Sequence, residues 1–170
     1  VLLRREQYRR SDDPQACAAL VRHLLVGKLY NQRAVLRRAL RDHRESHAGD
    51  EADRLDAAQR EIGRILDRCR REHEVDSLRG LEGDAARRYF DVFDLLIRVD
   101  EPAFRFSGRN RRPPRDRVNA LLSLLYTLLT HDCRSALETV GLDPAVGYLH
   151  RDRPGRASLA LDLAEAFRPV

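Results

Sequence analysis

The spacing of the leucines limits the fold of this chain more than any other feature of its sequence. Leu20 and Leu24, and again Leu36 and Leu40, are four residues apart, an interval that places side chains on one face of an α-helix. No segment alternates apolar and polar residues over the length of a β-strand, and the sequence contains no internal repeat. The sequence therefore predicts a single all-α domain over residues 1–170, bundle-like and built from about five to seven helices.

The first two predicted helices form an antiparallel hairpin. Asp13 and Pro14 are typical of a helix start, and the apolar pattern then runs to about residue 42. A polar break at residues 43–49 separates this helix from a second one that opens near Asp50. The apolar seam of the second helix consists of Leu55, Ala58, Ile62, Ile65 and Cys69.

Three further helices follow. The third is expected to start at Ser77 or just after Gly80 and to end before Pro102. A loop at residues 104–114 leads to a fourth helix at residues 115–140, whose leucines on nearly every face predict the central, most buried helix. The last helix spans residues 158–167. The buried stripe predicted for the third helix is Ala85, Tyr89, Phe93 and Ile97.

Charge and cysteine content exclude several classes of protein. The 32 basic and 27 acidic residues give a net charge of +5 and a pI near 9.5, which permits nucleic-acid binding. No apolar run reaches the roughly 20 residues of a membrane span, and three widely spaced cysteines make no disulfide framework. We therefore expect a cytoplasmic protein.

Because the chain begins at Val1 and holds no methionine, we interpret it as a piece of a longer protein.

Three carboxylates and a histidine are candidates for chemistry. Asp162 and Glu165 fall on one arc of the last helix, where two carboxylates can share a divalent cation; the alternative is a solvated face with a Glu165–Arg168 pair. His150 lies in the preceding loop, either as a ligand that favours manganese or as a surface or capping residue. Glu82, at the expected start of the third helix, either stabilises that terminus or meets a ligand between flanking glycines.

The steepest charge asymmetry lies between residues 105 and 117. Six arginines there face one acidic residue, Asp116. Such a loop can follow a phosphate backbone and would make binding sensitive to salt; the alternative is a mobile, solvated loop. The arginines are Arg105, Arg109, Arg111, Arg112, Arg115 and Arg117.

Five segments, in this order along the chain, resemble the CRISPR-associated integrase of spacer acquisition, the first of the two adaptation proteins. They are KLYNQR at residues 28–33, LEGDAARRYF at 81–90, RRPPRDRVNALL at 111–122, GLDP and the residues up to His150 at 141–150, and SLALDLAEAFRP at 158–169. The resemblance implies the helical catalytic domain of that family, without its N-terminal β-rich domain. It also implies a second adaptation protein as partner and a homodimer in the full-length protein.

The same resemblance assigns roles to individual residues. Glu82, His150 and Glu165 match the family's ligands for Mn²⁺ or Mg²⁺, and Asp162 matches a second acidic position near the metal. The implied reaction is attack of a DNA 3′-hydroxyl on the CRISPR repeat, which inserts a protospacer by transesterification, or attack of water, which gives nuclease activity. The residues implied to contact DNA are Arg109, Arg111, Arg112, Arg115, Asn119 and Arg168.

A second hypothesis is a helical module that binds DNA or a protein without chemistry and is inactive as an isolated fragment. Convergence of the three ligand side chains on one point would discriminate between the two hypotheses. A di-metal carboxylate bundle is excluded, because neither Glu82 nor Glu165 has a histidine three residues later.

Overall fold

Six α-helices make up the part of the chain that the computed structural model describes, residues 1–42 and 49–169. No β-strand occurs in those ranges, and the prediction of an all-α domain is confirmed. Two short 3₁₀ turns, Phe93–Leu96 and Pro102–Phe104, lie between the fourth and fifth helices. The helices are α1 (Leu2–Asp12), α2 (Pro14–Asp42), α3 (Asp50–Cys69), α4 (Val75–Phe90), α5 (Arg117–Thr139) and α6 (Ser158–Phe167).

The start of α2 follows its cap, as predicted. The Asp13 carboxylate accepts hydrogen bonds from the backbone N–H groups of Gln15 and Ala16, at 2.9 and 3.3 Å. The preceding helix, α1, was not predicted, because it has no apolar stripe and Gln7 is its one buried residue. Gln7 ties α1 down through polar bonds: its amide donates to the Asp143 carbonyl at 2.7 Å and accepts from the Asp143 N–H at 2.8 Å.

The hairpin of α2 and α3 is confirmed. Arg22 of α2 donates to the carbonyl of Glu72, just beyond the end of α3, whereas Arg33 donates to Gln59 in the middle of α3. The two helices therefore run antiparallel. The seam predicted for α3 is buried against α2 and α4. Of the break predicted at residues 43–49, all but Gly49 lies outside the described residues.

The bounds predicted for α4 were wrong at both ends. The helix begins at Val75 and ends at Phe90, well before Pro102. Phe93 turns out of the helix into the first 3₁₀ turn, where its ring packs 5.0 Å from that of Phe106. Aromatic contacts across the loop thus replace two further helical turns. Phe93 and Ile97 are only half-buried. Glu82 consequently lies in the middle of α4. It therefore does not stabilise the N-terminus of that helix, which was one of its two predicted roles.

The prediction that α5 is the central, most buried helix was also wrong. Its four middle leucines are each about half exposed, at 48, 55, 56 and 52%. The buried residues lie toward the two ends of the helix: Val118 and Asn119 near its start, and Cys133 and Leu137, which pack against α6, in its C-terminal half. Periodicity cannot separate a face covered by the same chain from a face left open, because both require apolar residues. The exposed leucines are Leu121, Leu124, Leu125 and Leu128.

No helix in the described part of the chain is long and apolar enough to cross a bilayer. All three cysteines, Cys17, Cys69 and Cys133, are free, and the latter two are buried.

Gly147 allows the loop before α6 to pass close over the start of that helix. A Cβ at this position would lie 2.6 Å from both the carbonyl oxygen of His150 and the Cβ of Ser158. We expect Gly147→Ala to lower the free energy of unfolding by about 1–3 kcal/mol, because backbone must shift to admit the methyl group. The matched control is Gly83→Ala in α4, which has no neighbour within 4 Å and should gain about 0.5–1 kcal/mol. Urea denaturation of both variants checks this; a Gly147→Ala protein as stable as the parent would contradict it.

Candidate metal centre

Three helices and one loop bring the predicted ligands together. α2 packs against both α4 and α6, so that Glu82 on α4 and Glu165 on α6 meet beside the middle of α2. Glu165 is 4% exposed, whereas Glu82 is partly open to solvent. His150 reaches the same place from the loop before α6, with Nε2 4.0 Å from Oε1 of Glu165. Glu82, His150 and Glu165 line one cavity of about 470 Å³.

Asp162 holds His150 in place. It is fully buried, and one carboxylate oxygen accepts from the backbone N–H groups of Tyr148 and Leu149 at 2.6 and 2.9 Å. The other oxygen accepts from the backbone N–H and the ring Nδ1 of His150, at 2.9 and 2.6 Å. Because a carboxylate only accepts, Nδ1 carries the proton of this bond, which leaves Nε2 as the ring nitrogen that can bind a cation.

The solvated face considered for α6 is therefore wrong, since Asp162 and Glu165 are both buried. The ion pair considered with that face does exist, because the Arg168 guanidinium donates to Oε1 of Glu165. Asp162 is committed to four hydrogen bonds within the loop, so its contribution to the centre is to orient His150.

Lys28, which the sequence analysis did not assign to the site, lies between the two carboxylates. Its ammonium group contacts Oε1 of Glu82 and is 2.6 Å from Oε2 of Glu165, and the side chain is 7% exposed. One signal was available: it is the only lysine among 32 basic residues. Burial alone would raise the pKa of Glu165, but the positive charges of Lys28 and Arg168 outweigh burial and hold that pKa below its usual range.

The convergence that the sequence hypothesis requires is only partial. Within residues 1–42 and 49–169, no three histidine, cysteine or acidic side chains are close enough to form a ready metal cluster. The donor set itself suits a divalent cation, with two carboxylates and one neutral imidazole on one cavity. With bonds of about 2.1 Å, a cation can reach two atoms no more than about 4.2 Å apart. The 4.0 Å between His150 Nε2 and Glu165 Oε1 meets that limit.

Arginines form most of the rest of the cavity wall, together with Asp76 and Leu149. Four of them surround the carboxylates and His150, and none was singled out from the sequence. Three follow His150 directly in the loop before α6, so that adjacency in sequence was the signal available. The fourth, on α4, is fixed by a 2.8 Å hydrogen bond from its Nε to the Leu149 carbonyl. The four are Arg79, Arg151, Arg153 and Arg156.

The arginine-rich loop reaches the other side of the same carboxylates. Arg111 and Arg168 line a small cavity of about 30 Å³ with Lys28, Glu82 and Glu165. The predicted DNA contacts Arg112 and Arg115 are exposed.

Two of the predicted DNA contacts instead build the structure of that loop. Asn119 is fully buried; its side-chain oxygen accepts from Arg109 at 2.7 Å, and its amide donates to Asp116 at 2.7 Å. Asn119 therefore shapes the loop and is not open to direct contact with a strand. Arg109 and Arg168 both stack on the ring of Tyr126, with guanidinium carbons 5.4 and 5.0 Å from its centroid.

The whole chain, residues 1–170, matches the family model described as CRISPR associated protein Cas1. A curated relative, CRISPR-associated endonuclease Cas1 2 of Rhodospirillum rubrum, is 58% identical over 177 residues, which cover 100% of this chain and 49% of the relative. This chain spans about half the length of this relative and of a second one, CRISPR-associated endonuclease Cas1 1 of Chlorobaculum tepidum, to which it is 54% identical over 168 residues.

Two solved structures share the fold over nearly the whole chain. A chain of a partial Cas6-RT-Cas1–Cas2 complex has a TM-score of 0.81 and 30% identity, covering 95% of this chain and 45% of that one. A casposase bound to an integration product has a TM-score of 0.78 and 27% identity, covering 98% of this chain and 44% of that one.

Proposed function

The chain belongs to the Cas1 family of CRISPR-associated proteins, and we propose that it is the helical catalytic part of a metal-dependent DNA endonuclease and integrase. In this proposal the full-length protein inserts spacers into a CRISPR array by phosphodiester transesterification. The observation that carries it is the meeting of Glu82, His150 and Glu165 at one cavity that four arginines also line. The names of the relatives as endonucleases, and the casposase with its integration product, support the same class of reaction.

Glu82, Glu165 and Nε2 of His150 are the groups that would hold Mn²⁺ or Mg²⁺. When bound, such an ion polarises a phosphodiester and stabilises the charge that develops on its oxygens. Asp162 accepts from Nδ1 and so orients the imidazole with Nε2 as the nitrogen toward the cation. Arg168, which contacts Glu165, is close enough to the carboxylates to bind a phosphate oxygen beside them.

The basic wall would bind the DNA backbone. Arg151, Arg153 and Arg156 line the cavity on the side of His150, and Arg111 approaches the carboxylates from the other side. A bound 3′-hydroxyl as attacking group gives strand transfer into the CRISPR repeat, and water gives cleavage. Contacts to phosphate carry little information about base sequence, so the choice of protospacer and repeat would depend on other parts of the assembly.

The proposed partners are a second adaptation protein, protospacer and repeat DNA, and a second copy of the full-length protein. A similar fold occurs within a Cas6-RT-Cas1–Cas2 complex, which supports the second adaptation protein as a partner.

DNA cleavage and strand transfer with Mn²⁺ test the enzyme proposal. Product formed by the chain supports it, whereas no product together with no Mn²⁺ binding would contradict it.

One observation favours the alternative of a binding module without chemistry. In the described part of the chain the three ligands form no ready metal cluster, and Lys28 lies between two of them. On that alternative DNA would bind without Mn²⁺ and would not be cleaved. Manganese binding by the chain separates the two functions.

Changing Arg151, Arg153 and Arg156 together to glutamine should weaken duplex binding and flatten its salt dependence. Because each phosphate contact contributes about 0.9 to the slope of log affinity against log salt, we expect that slope to fall by about 2 to 3. Fluorescence anisotropy with a labelled duplex at several salt concentrations measures it. The control is the triple glutamine variant of Arg60, Arg64 and Arg68, exposed on α3, which changes the net charge equally. Equal losses in both variants would contradict a specific role for the cavity wall.

A further inference from the structure

We infer that Lys28 is a positioning residue for the metal centre, one that holds an oxygen of Glu82 and an oxygen of Glu165 and leaves the other oxygen of Glu165 on the side of His150. The inference rests on the proposed function, because it concerns how the chain prepares those carboxylates for a cation. Lys28 belongs to none of the residues that the sequence analysis or the family resemblance assigned to the site.

The hydrogen bonds of Lys28 divide the carboxylate oxygens into two sets. Its ammonium group binds Oε1 of Glu82 and Oε2 of Glu165. The oxygen of Glu165 that Lys28 does not bind, Oε1, is the one that lies 4.0 Å from Nε2 of His150. Lys28 therefore holds one oxygen of Glu165, while the other, which also accepts from Arg168, lies on the side of His150. Glu82 has one oxygen on Lys28 and lines the same cavity as His150. A hydrogen bond to the carboxylate oxygen that does not bind the metal is a common way to orient a metal ligand.

The backbone around Lys28 is fixed against α6. Asn31, nearly one turn later in α2, donates to the Ala166 carbonyl at 2.7 Å. Gly27, the residue before Lys28, lies so close to α6 that an added Cβ would be 3.7 Å from the Cβ of Ala166. These contacts set the register of α2 on α6, and with it the position of the ammonium group relative to Glu165.

The chemistry of the position suits lysine in particular. Two neighbouring carboxylates, one of them buried, repel unless a positive charge lies between them. An ammonium group is a compact point charge with donors that rotate, whereas a guanidinium is a wide planar fork. Of the 32 basic residues in this chain, the other 31 are arginine. The single lysine thus lies at the one position between these two carboxylates, where a compact charge can contact both.

Mn²⁺ affinity of the purified chain tests this role without any need for catalysis. We expect Lys28→Gln to bind Mn²⁺ about ten- to a hundredfold more weakly than the parent, the usual cost of losing an orienting contact. Lys28→Arg keeps the positive charge between the carboxylates and serves as the second test variant if Lys28→Gln does not fold. Its Mn²⁺ affinity should lie between that of the parent and that of Lys28→Gln. The matched control is Arg33→Gln, which removes a charge from the same helix at a residue bonded to Gln59 and should leave Mn²⁺ affinity unchanged. Titration by electron paramagnetic resonance, which detects free Mn²⁺, measures all four proteins.

The outcomes separate this inference from the proposed function. If the parent binds no Mn²⁺, the proposed metal centre is wrong and the inference falls with it. If the parent binds Mn²⁺ and both Lys28→Gln and Lys28→Arg bind it as tightly as the parent does, the inference alone is overturned. Lys28 then forms only a structural ion pair, whose loss changes the free energy of unfolding. Tighter binding by Lys28→Gln would also overturn it, because it would show that Lys28 competes with the cation for the carboxylates.

Discussion

Replacing Glu82 with glutamine is expected to lower Mn²⁺-dependent DNA cleavage and strand transfer by at least about a hundredfold, equivalent to about 2.7 kcal/mol of transition-state stabilisation. Glutamine keeps the size of the side chain, and its carbonyl can still accept the hydrogen bond that Lys28 gives to Glu82. The fold should therefore survive. What is lost is one of two negative charges that would hold a divalent cation beside His150.

The matched control for this variant lies one half-turn away on the same helix. Asp84→Asn also neutralises one carboxylate of α4, but Asp84 pairs with the exposed Arg87 and is not part of the cavity wall. It should retain the parental rate, and His150→Ala should lose activity as Glu82→Gln does. Cleavage of a labelled duplex, with circular dichroism to confirm folding, gives the answer. A folded Glu82→Gln protein with the parental rate would show that the chemistry lies elsewhere.

Asp162→Asn is expected to cost about 3 kcal/mol or more of the free energy of unfolding. The Asp162 carboxylate is fully buried and accepts from three consecutive backbone N–H groups, at residues 148–150, and from the ring of His150. The NH₂ group of an asparagine is a donor and cannot accept from the N–H groups that one of the carboxylate oxygens binds now. Each buried group left without a partner costs about 1–3 kcal/mol. The variant should also lose Mn²⁺ affinity, since the orientation of His150 depends on the same carboxylate.

Asp152→Asn is the control for that measurement. Asp152 lies in the same loop, is exposed, and accepts from one backbone N–H, that of Gly147, at 2.9 Å. Its replacement should cost about 1 kcal/mol or less. Urea denaturation followed by circular dichroism compares the two. If both variants lose the same small amount of stability, the carboxylate of Asp162 does not organise the loop as the hydrogen bonds indicate.

The parts of the fold that could be predicted are those in which one local signal decides the structure. The cap at Asp13 and the apolar seam from Leu55 to Cys69 are such signals, and α2 and α3 follow them. α1 has no apolar stripe and is held by the hydrogen bonds of Gln7 to residue 143, which lies far away in sequence. The end of α4 depends on aromatic packing between Phe93 and Phe106 across a loop. Neither contact can be inferred from periodicity.

The candidate site divides in the same way. Glu82, His150 and Glu165 were identified because short motifs surround them, and the structure brings these three to one cavity. Lys28 reaches the two carboxylates, and Arg79 reaches the cavity wall, only through the packing of α2 and α4. A pattern within one helix carries no information on which residue of another helix will face it. The role of Asp162 could not be predicted for a related reason. A carboxylate on a helix face is expected to be solvated unless the loop that covers it is known.

The central claim is that Glu82, His150 and Glu165 hold a divalent cation, and anomalous diffraction from crystals of the chain grown with Mn²⁺ tests it most directly. The account predicts an anomalous peak bonded to Nε2 of His150 and to one carboxylate oxygen each of Glu82 and Glu165, with Lys28 on the outer oxygens. No peak in this cavity at saturating Mn²⁺, or a peak that His150 does not contact, would contradict it.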